Sequence, residues 1–280
     1  MDSFLHYTTE EGRKSIGSLS FFENRGHSLR ECKRKFKDNL QPCPFSFFSD
    51  CAKILKKEGS GEMSNCVIFC AAEFDALARP LAPEDFVIAA DGGLRHTQAL
   101  GITPDEVLGD FDSLGFIPED ARVFPVEKDD TDAMLAVRRG LSLGYREFYL
   151  YGSLDGPRLD HTVANFQTLQ FLADHGAAGY LIGKNAIVTV VKNGSILFPA
   201  RAEGLISVFC MGADARGVTE TGLYYTLDNG VLTSGFPLGA SNHFTGKESR
   251  ISVDDGSLLL IWERKAGFPA ARQSALDFER

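Results

Sequence analysis

Between residues 66 and 182, short apolar runs alternate with segments of helical periodicity, and this alternation constrains the fold more than any other feature of the sequence. Strands that alternate with helices form a parallel sheet with helices on both faces. The predicted strands are residues 66–72, 86–90, 106–109, 123–126, 147–151 and 180–182, and the predicted helices are 93–100, 131–143 and 159–173. We therefore predict a three-layer α/β/α domain over residues 63–184.

The pattern changes after Gly183, where short β runs follow one another without a helix between them. Asn193-Gly194, Asp228-Asn229-Gly230 and Asp255-Gly256 are typical of hairpin turns. The predicted strands are residues 186–191, 195–198, 205–210, 217–221, 224–227, 231–233, 250–253 and 257–262. This pattern predicts an antiparallel β-sandwich domain over residues 185–263, and residues 264–280 are expected to form a polar C-terminal tail.

Residues 1–62 differ from the rest of the chain. They contain 11 Lys+Arg and 9 Asp+Glu, and they show no sustained helix or strand period. A linker-like Glu-Gly-Ser-Gly-Glu run precedes Met63, where the regular pattern begins. Two interpretations stay open: a weakly ordered N-terminal extension, or upstream sequence translated in error ahead of a natural start at Met63.

The charge balance excludes some classes of protein. A formal net charge of -9 and a pI near 5.2 argue against a general binder of nucleic acid or anionic membranes, which needs a basic face. The chain has no apolar run of about 18 residues, and its polar start is unlike a secretory signal. Six cysteines without metal-finger spacing indicate reduced thiols, so we expect a cytoplasmic protein that contacts neither nucleic acid nor membrane.

Four polar clusters follow the predicted strands. They are Asp91-Gly92-Gly93, the run Gly109-Asp110-Phe111-Asp112-Ser113, Asp129-Asp130-Thr131-Asp132, and the segment 152–161 with Arg158, Asp160 and His161. Open α/β sheets bind ligands where their strands end. Singly, each cluster is explained by a turn or a helix cap, but together the carboxylates would repel one another unless a cation lies between them.

The residue types in these clusters indicate the kind of chemistry. Oxygen ligands without a His/Cys group suit Mg²⁺ or Mn²⁺ rather than zinc, and substrate phosphates often complete the coordination shell of Mg²⁺. Arg158 can donate two parallel hydrogen bonds to a phosphate, and the sequence contains neither a GxxxxGK[ST] nor a GxGxxG motif. The residues alone therefore predict metal-assisted chemistry on a phosphate-bearing ligand.

The order and wording of these motifs resemble the thiamine pyrophosphokinase family from Met63 to about Trp262. The matching stretches are ADGGLRH at 90–96, LGDFDSL at 108–114, KDDTDAMLAV at 128–137, RLDHTVANFQTL at 158–169 and GASN at 239–242. The resemblance implies a Rossmann-like nucleotide-binding domain followed by a thiamine-binding β-sandwich, in a homodimer with active sites between subunits. It implies transfer of the terminal diphosphate of ATP to the thiamine hydroxyl, which gives thiamine diphosphate and AMP.

The resemblance also implies roles for individual residues. Asp110, Asp112 and Asp132 would bind Mg²⁺, and Arg158 and Asp160 would order the phosphates. The nucleotide pocket would be formed by Asp91, Gly92, Gly93, Asp129, Thr131, His161 and Asn165. Ser241 and Asn242 would hydrogen-bond the aminopyrimidine of thiamine.

Two departures from the family pattern concern these assignments. Asp155-Gly156-Pro157 adds a residue before Arg158, and His243 stands where Glu commonly follows the Ser-Asn pair. Three rival functions stay open: a diphosphotransferase acting on a pterin alcohol, a nucleotide-sugar transferase whose Asp-Phe-Asp binds the metal, and a nucleotide or thiamine sensor without turnover.

Overall fold

Six parallel strands form one half of a large mixed sheet. The computed structural model describes residues 64–274; the predicted extension over 1–62, Met63 and the last six residues lie outside the described part. The strands are β1 (Cys66–Phe69), β2 (Phe86–Ala90), β3 (Glu106–Gly109), β4 (Arg122–Val123), β5 (Glu147–Tyr151) and β6 (Ala178–Ile182). Their order across the sheet is β6-β5-β1-β2-β3-β4. The predicted strand over 123–126 is shorter than expected, because Pro125 cannot donate to a ladder.

Three α-helices lie in residues 64–274: α1 (Gly93–Ala99), α2 (Asp132–Ser142) and α3 (Leu159–Asp174). All three were predicted. Thr131 caps α2, since its Oγ1 accepts a hydrogen bond from the Met134 backbone N–H at 3.2 Å. Gly144 follows the end of α2 with a φ of 95°, a conformation that glycine adopts without strain. None of these helices is long and apolar enough to cross a membrane.

The two faces of the parallel strands pack differently. Buried side chains of α2 and α3 such as Val137 and Leu172 pack with Ile68, Phe148 and Leu181 of the strands. The opposite face continues into the core of the antiparallel half. On this face, residues of the parallel strands pack with residues of the antiparallel strands and of nearby loops. This core includes Val67, Phe69, Tyr151, Ile196, Val208, Val218, Leu260 and Trp262.

Two long strands dominate the antiparallel half. β7 (Ala186–Phe198) and β12 (Ser249–Glu263) pair along their length, and β6 joins β7. The shorter strands are β8 (Leu205–Cys210), β9 (Ala215–Thr221), β10 (Leu227–Leu232), β11 (Asn242–His243) and β13 (Ala271–Ser274). Hydrogen bonds connect all thirteen described strands into one mixed sheet.

The three predicted hairpin turns are wrong. Asn193-Gly194 lies within β7 and Asp255-Gly256 within β12, where the register between the two strands shifts. The Gly256 N–H donates to Asn193 Oδ1 at 2.8 Å, so the two irregular sites face each other as a bulge. Asp228-Asn229-Gly230 likewise lies within β10 at a register shift, and the predicted strand at 224–227 begins only at Leu227.

The predicted polar tail after Glu263 is ordered in its described part. Arg264–Ala266 form a 3-10 turn, and β13 pairs with β7. The Phe268 ring makes edge contacts with Tyr149 and Tyr180, with ring centroids 5.3 and 5.6 Å apart. Arg272 is half-buried and its Nη1 donates to Thr189 Oγ1 at 2.9 Å. This segment therefore packs against the core of the sheet.

Replacement of Phe268 with alanine should lower the free energy of unfolding by about 2 kcal/mol, since it removes a large partly buried side chain and two aromatic contacts. Urea unfolding followed by fluorescence measures this change. Phe236→Ala is the control, because Phe236 is 65% exposed and should matter by less than about 0.5 kcal/mol. Equal losses for the two variants would show that residues after Glu263 do not stabilise the sheet.

Candidate active site

A cleft of about 630 Å³ lies at the carboxyl edge of the parallel strands. The loops after β1 and β5 form one side of it. These two strands are neighbours where the strand order reverses, the usual ligand site of an open α/β sheet. The loops after β2 and β3 and the start of α2 form the other side. Lining residues include Ala71, Asp91, Asp110, Asp112, Ser113, Lys128, Asp130, Thr131, Asp132, Gly152, Arg158, His161 and Asn165.

Three carboxylates from different loops converge in this cleft. One oxygen each from Asp91, Asp110 and Asp132 lies within 4.8 Å of the others. Asp91 follows β2, Asp110 follows β3 and Asp132 begins α2, so the sheet edge brings together residues that are up to 41 positions apart. Convergence of carboxylates at this edge was predicted from the sequence.

Asp91 is held firmly in place. The residue is only 6% exposed, and its Oδ2 accepts a hydrogen bond from Ser113 Oγ at 2.5 Å. Its backbone N–H donates to the Leu108 carbonyl at 2.8 Å. The buried Oδ1 has no hydrogen-bond partner among the described residues. A buried carboxylate oxygen without a partner is costly unless a ligand or cation satisfies it.

Lys128 lies between the other two carboxylates. Its Nζ is 2.6 Å from Asp110 Oδ2 and 3.0 Å from Asp132 Oδ1, and all three side chains are at most a quarter exposed. Sequence reasoning assigned no role to Lys128. Lys128 lies before the start of α2, so the helical i,i+4 rule does not apply to it and no local pattern indicates its two contacts.

The charges in this group shift one another's pKa values. Burial by itself would raise the pKa of Asp110, but the hydrogen bond and charge of Lys128 outweigh it, so this pKa lies below its usual value. Burial raises the pKa of Asp132, and the charges of Asp110 and Asp91 raise it further, although Lys128 offsets part of the effect. Burial and the neighbouring anions therefore make Asp132 harder to ionise, and a further positive charge in the cleft would favour its ionised form.

Asp112 was predicted to bind the metal together with Asp110. In the structure it lies outside the group of three carboxylates. The backbone adopts a φ of 60° at Phe111, whose ring is buried. Asp112 is exposed on the rim of the same cleft, and its backbone N–H donates to Asp110 Oδ1 at 3.3 Å. Asp91, expected in the nucleotide pocket, is the third member of the group instead.

Two residues of the segment before α2, Asp129 and Thr131, were predicted to form part of the nucleotide pocket. Thr131 lines the cleft, but Asp129 is exposed and does not. Asp130 lines the cleft instead, and its Oδ2 is 2.9 Å from Arg138 Nε.

The loop after β5 brings Arg158, His161 and Asn165 to the cleft. Arg158 Nη2 is 2.6 Å from Asp160 Oδ2, and both side chains are about two thirds exposed, so this ion pair is loosely held. Asp160 itself is not among the residues that line the cleft. Asn165 is buried and its Nδ2 donates to the Ser153 carbonyl at 2.7 Å, which supports the turn after β5.

Gly92 and Gly93 were predicted to line the nucleotide pocket, but they are not among the residues that line the cleft. They begin α1, and a Cβ atom on Gly93 would lie 1.8 Å from the Phe69 carbonyl oxygen. Glycine at position 93 therefore permits close packing of α1 against β1, and this packing fixes the turn that carries Asp91.

A second cavity of about 470 Å³ lies in the antiparallel half, and Ser241 and Asn242 line it. The Asn242 side chain is buried and fully engaged. Its Nδ2 donates to Tyr225 O and Glu220 Oε2, at 2.7 and 3.1 Å, and its Oδ1 accepts from the Tyr225 and His243 N–H groups. Ser241 is exposed, and its N–H donates to Ser207 Oγ at 3.0 Å. The His243 ring stacks on Tyr224 with centroids 4.5 Å apart.

The residues of the acidic cleft fit a hard divalent cation. The donors are carboxylate oxygens without histidine or cysteine, the set that Mg²⁺ prefers. Asp91 Oδ1 has no hydrogen-bond partner in the part of the chain that the structure describes, and the pKa of Asp132 is raised, so a further positive charge would stabilise both carboxylates. Lys128 supplies one such charge to this group.

Replacement of Lys128 with methionine should lower the free energy of unfolding of the metal-free protein by about 2 kcal/mol, because partly buried carboxylates lose their cation. Added Mg²⁺ should then raise the melting temperature of the variant more than that of the unmodified protein, since the ion no longer displaces an ammonium group. Thermal unfolding with and without Mg²⁺ measures both effects.

Lys192→Met is the matched control for this prediction. Lys192 pairs with Asp174 at 2.7 Å, but both side chains are about 40% exposed, and such pairs contribute little. If Lys128→Met changed neither the stability nor its response to Mg²⁺ more than Lys192→Met does, Lys128 would not balance the carboxylates.

The mixed α/β sheet with an acidic, arginine-bearing cleft at its carboxyl edge defines an enzyme of the phosphate-transferring class. Comparison with known proteins is consistent with this class. Residues 77–178 match the family model described as thiamin pyrophosphokinase, catalytic domain, and residues 195–258 match the model of its vitamin B1 binding domain. The chain belongs to the thiamin pyrophosphokinase family and is an ATP-dependent diphosphotransferase.

Individual relatives agree with this assignment. Thiamine pyrophosphokinase of Bacillus subtilis (strain 168) is 29% identical over 186 residues, which cover 62% of this chain and 85% of the relative. The crystal structure of the Bacillus subtilis enzyme has a TM-score of 0.63 at 25% identity and covers 71% of this chain and 99% of its own. The thiamin pyrophosphokinase of Candida albicans, at 14% identity, shares the fold with a TM-score of 0.58 over 75% of this chain and 91% of its own.

Proposed function

We propose that the protein is a thiamine diphosphokinase that transfers the terminal diphosphate of ATP to the hydroxyl of thiamine, giving thiamine diphosphate and AMP, with Mg²⁺ as cofactor. The observation that carries the proposal is the convergence of Asp91, Asp110 and Asp132 in a cleft of about 630 Å³, in a chain of this family.

Asp91, Asp110 and Asp132 would hold the magnesium ion, with Asp112 at the open side of the cleft. When bound, Mg²⁺ neutralises phosphate charge and stabilises the leaving AMP oxygen. Lys128 contacts two of these carboxylates and is close enough to exchange its ion pairs for a phosphate oxygen. Catalysis of this kind depends on positioning and electrostatics, so a strong general base is not required.

The loop after β5 and the start of α2 would hold the nucleotide. Arg158 leaves its exposed pair with Asp160 to bind phosphate, and Asp160 keeps the guanidinium near the cleft beforehand. Thr131 and His161 line the cleft beside the phosphates, and Asn165 fixes the Ser153 turn. Asp129, Gly92 and Gly93 would act indirectly, through the shape of the loops that carry Asp132 and Asp91.

The 470 Å³ cavity would hold the aminopyrimidine of thiamine. Ser241 is exposed at the cavity, and its hydroxyl, which has no partner within residues 64–274, can form a hydrogen bond, whereas Asn242 shapes the wall through its bonds to Tyr225. Tyr225 is 63% exposed on this wall, where its ring can stack on a heterocycle.

We also propose that the protein is a homodimer in which the cavity of one subunit faces the cleft of the other. The cleft and the cavity share no lining residue. Both the half of the sheet that carries the cleft and the half that carries the cavity have exposed apolar side chains. These are Phe116, Ile117, Val126, Leu159 and Val163 in the parallel half, and Tyr224, Tyr225, Phe236 and Leu238 in the antiparallel half. Sedimentation should give twice the mass of one chain, and a monomer at micromolar concentration would contradict this arrangement.

We take residues 63–184 as a Rossmann-like catalytic domain and 185–263 as a β-sandwich, and the separate family matches at 77–178 and 195–258 support this division. A cytoplasmic location is supported by Cys70 and Cys210, which form no disulfide within residues 64–274.

The experiment is an assay of AMP release from ATP and Mg²⁺, with thiamine, a pterin alcohol or no acceptor. Stoichiometric AMP and thiamine diphosphate with thiamine alone would support the proposal. Turnover of the pterin alcohol instead would favour that rival. Binding of ATP and thiamine without any product would favour a sensor. Residues 1–280 and 63–280 assayed side by side would also show whether the first 62 residues contribute to activity.

A further inference from the structure

One carboxylate lines the 470 Å³ cavity, that of Glu220. Glu220 lies near the end of β9, where its side chain points inward among apolar neighbours, and the residue is only 3% exposed. The cavity wall around it is largely apolar and includes Leu227, Leu232 and Leu238. A carboxylate in such surroundings is costly unless it is hydrogen-bonded.

The hydrogen bonds of Glu220 are incomplete. Its Oε2 accepts from Asn242 Nδ2 at 3.1 Å, and Oε1 has no partner among residues 64–274. Asn242 has no further capacity, because both of its amide donors and its carbonyl are used within the protein. Burial raises the pKa of Glu220, and the bond from Asn242 offsets only part of this increase. The free oxygen therefore calls for a hydrogen-bond donor from a molecule in the cavity.

We infer that Glu220 is a specificity-determining residue that accepts a hydrogen bond from the exocyclic amino group of the substrate's aminopyrimidine. This inference rests on the proposed function, since it assumes that thiamine occupies the cavity. An amino group is a donor that a carboxylate oxygen satisfies, whereas a carbonyl at the same ring position would meet the carboxylate with an acceptor. The site would then select for the amino group over the carbonyl.

The test compares thiamine with oxythiamine, which carries a carbonyl in place of the amino group. The unmodified protein should strongly prefer thiamine in kcat/KM. Glu220→Gln, whose amide can donate to a carbonyl, should reduce this preference at least tenfold and raise the KM for thiamine about tenfold or more. The KM for ATP should stay unchanged. A ratio between two substrates is insensitive to the fraction of folded enzyme, so a purely structural role would not move it.

Two variants complete the test. Glu248→Gln makes the same change on an exposed loop and should leave the preference intact. Glu220→Asp keeps the carboxylate and should retain preference for thiamine, even if Glu220→Gln does not fold. An unchanged preference in Glu220→Gln, or a preference lost in Glu220→Asp, would overturn the inference. Failure of the unmodified protein to use thiamine would instead refute the proposed function.

Discussion

Asp132→Asn is expected to lower the rate of AMP formation by about 100- to 1000-fold, the usual cost of removing one preorganised electrostatic contact to the transition state. Asp132 contributes an oxygen to the group with Asp91 and Asp110, and asparagine keeps its size while removing its charge. The substitution weakens the attraction of the site for a divalent cation at the point where the diphosphate is transferred.

The fold should survive this substitution. Asp132 begins α2, but the cap itself is Thr131, whose hydroxyl bond to Met134 stays in place. The raised pKa of Asp132 indicates that its charge is costly in the metal-free protein, so loss of the charge offsets the lost bond to Lys128. The melting temperature without Mg²⁺ should change by only a few degrees, and the additional stability that Mg²⁺ provides should decrease.

Asp174→Asn is the control for Asp132→Asn. Asp174 pairs with Lys192 on the surface, so the same chemical change there should leave both turnover and the response to Mg²⁺ unaffected. Normal turnover in Asp132→Asn would show that catalysis in the cleft does not depend on a cation held by Asp132.

Gly93→Ala should lower the free energy of unfolding by at least about 3 kcal/mol, which corresponds to roughly 6–12 °C in melting temperature. The new Cβ would lie 1.8 Å from the carbonyl oxygen and 2.4 Å from the carbonyl carbon of Phe69. Both atoms belong to the backbone of β1 at the centre of the parallel strands, so no side-chain rotation can relieve the clash.

Gly235→Ala is the matched control for Gly93→Ala. No heavy atom outside its chain neighbours lies within 4 Å of a Cβ at Gly235, so its melting temperature should change little. Thermal unfolding of both variants measures the difference. Equal melting temperatures would mean that α1 does not pack as closely on β1 as the structure has it.

The parallel half and the place of its site could be predicted from the sequence. Buried strands such as Phe86–Ala90 have no competing pattern, and the polar residues that follow them must meet at one sheet edge. The cap at Thr131 was also predicted, because a hydroxyl residue before an apolar helical period has one common use.

The antiparallel half was harder to predict because turns and bulges use the same residues. Asn193 has a φ of 42° and Gly256 a φ of 114°, values that suit a hairpin turn as well as a bulge. Only the pairing of β7 with β12 across the bulge decides between them, and that pairing is not local in sequence.

The membership of the carboxylate group could not be predicted for a similar reason. Asp110 and Asp112 are two residues apart and look equivalent in sequence. The left-handed backbone at the buried Phe111 separates them, so that Asp110 lies in the group and Asp112 on the rim. The role of Lys128 likewise depends on the distance between β3 and α2, which the sequence does not specify.

In the proposed reaction, an intact diphosphate moves from ATP to thiamine in the acidic cleft. The most direct measurement uses ATP labelled with ¹⁸O at the non-bridging oxygens of its β- and γ-phosphates, with thiamine and Mg²⁺, and mass spectrometry of both products. The same reaction with Asp132→Asn gives the background level of both products. We predict unlabelled AMP and thiamine diphosphate that carries both labelled phosphates. Labelled ADP with a singly phosphorylated product, or labelled inorganic phosphate without modified thiamine, would contradict the account.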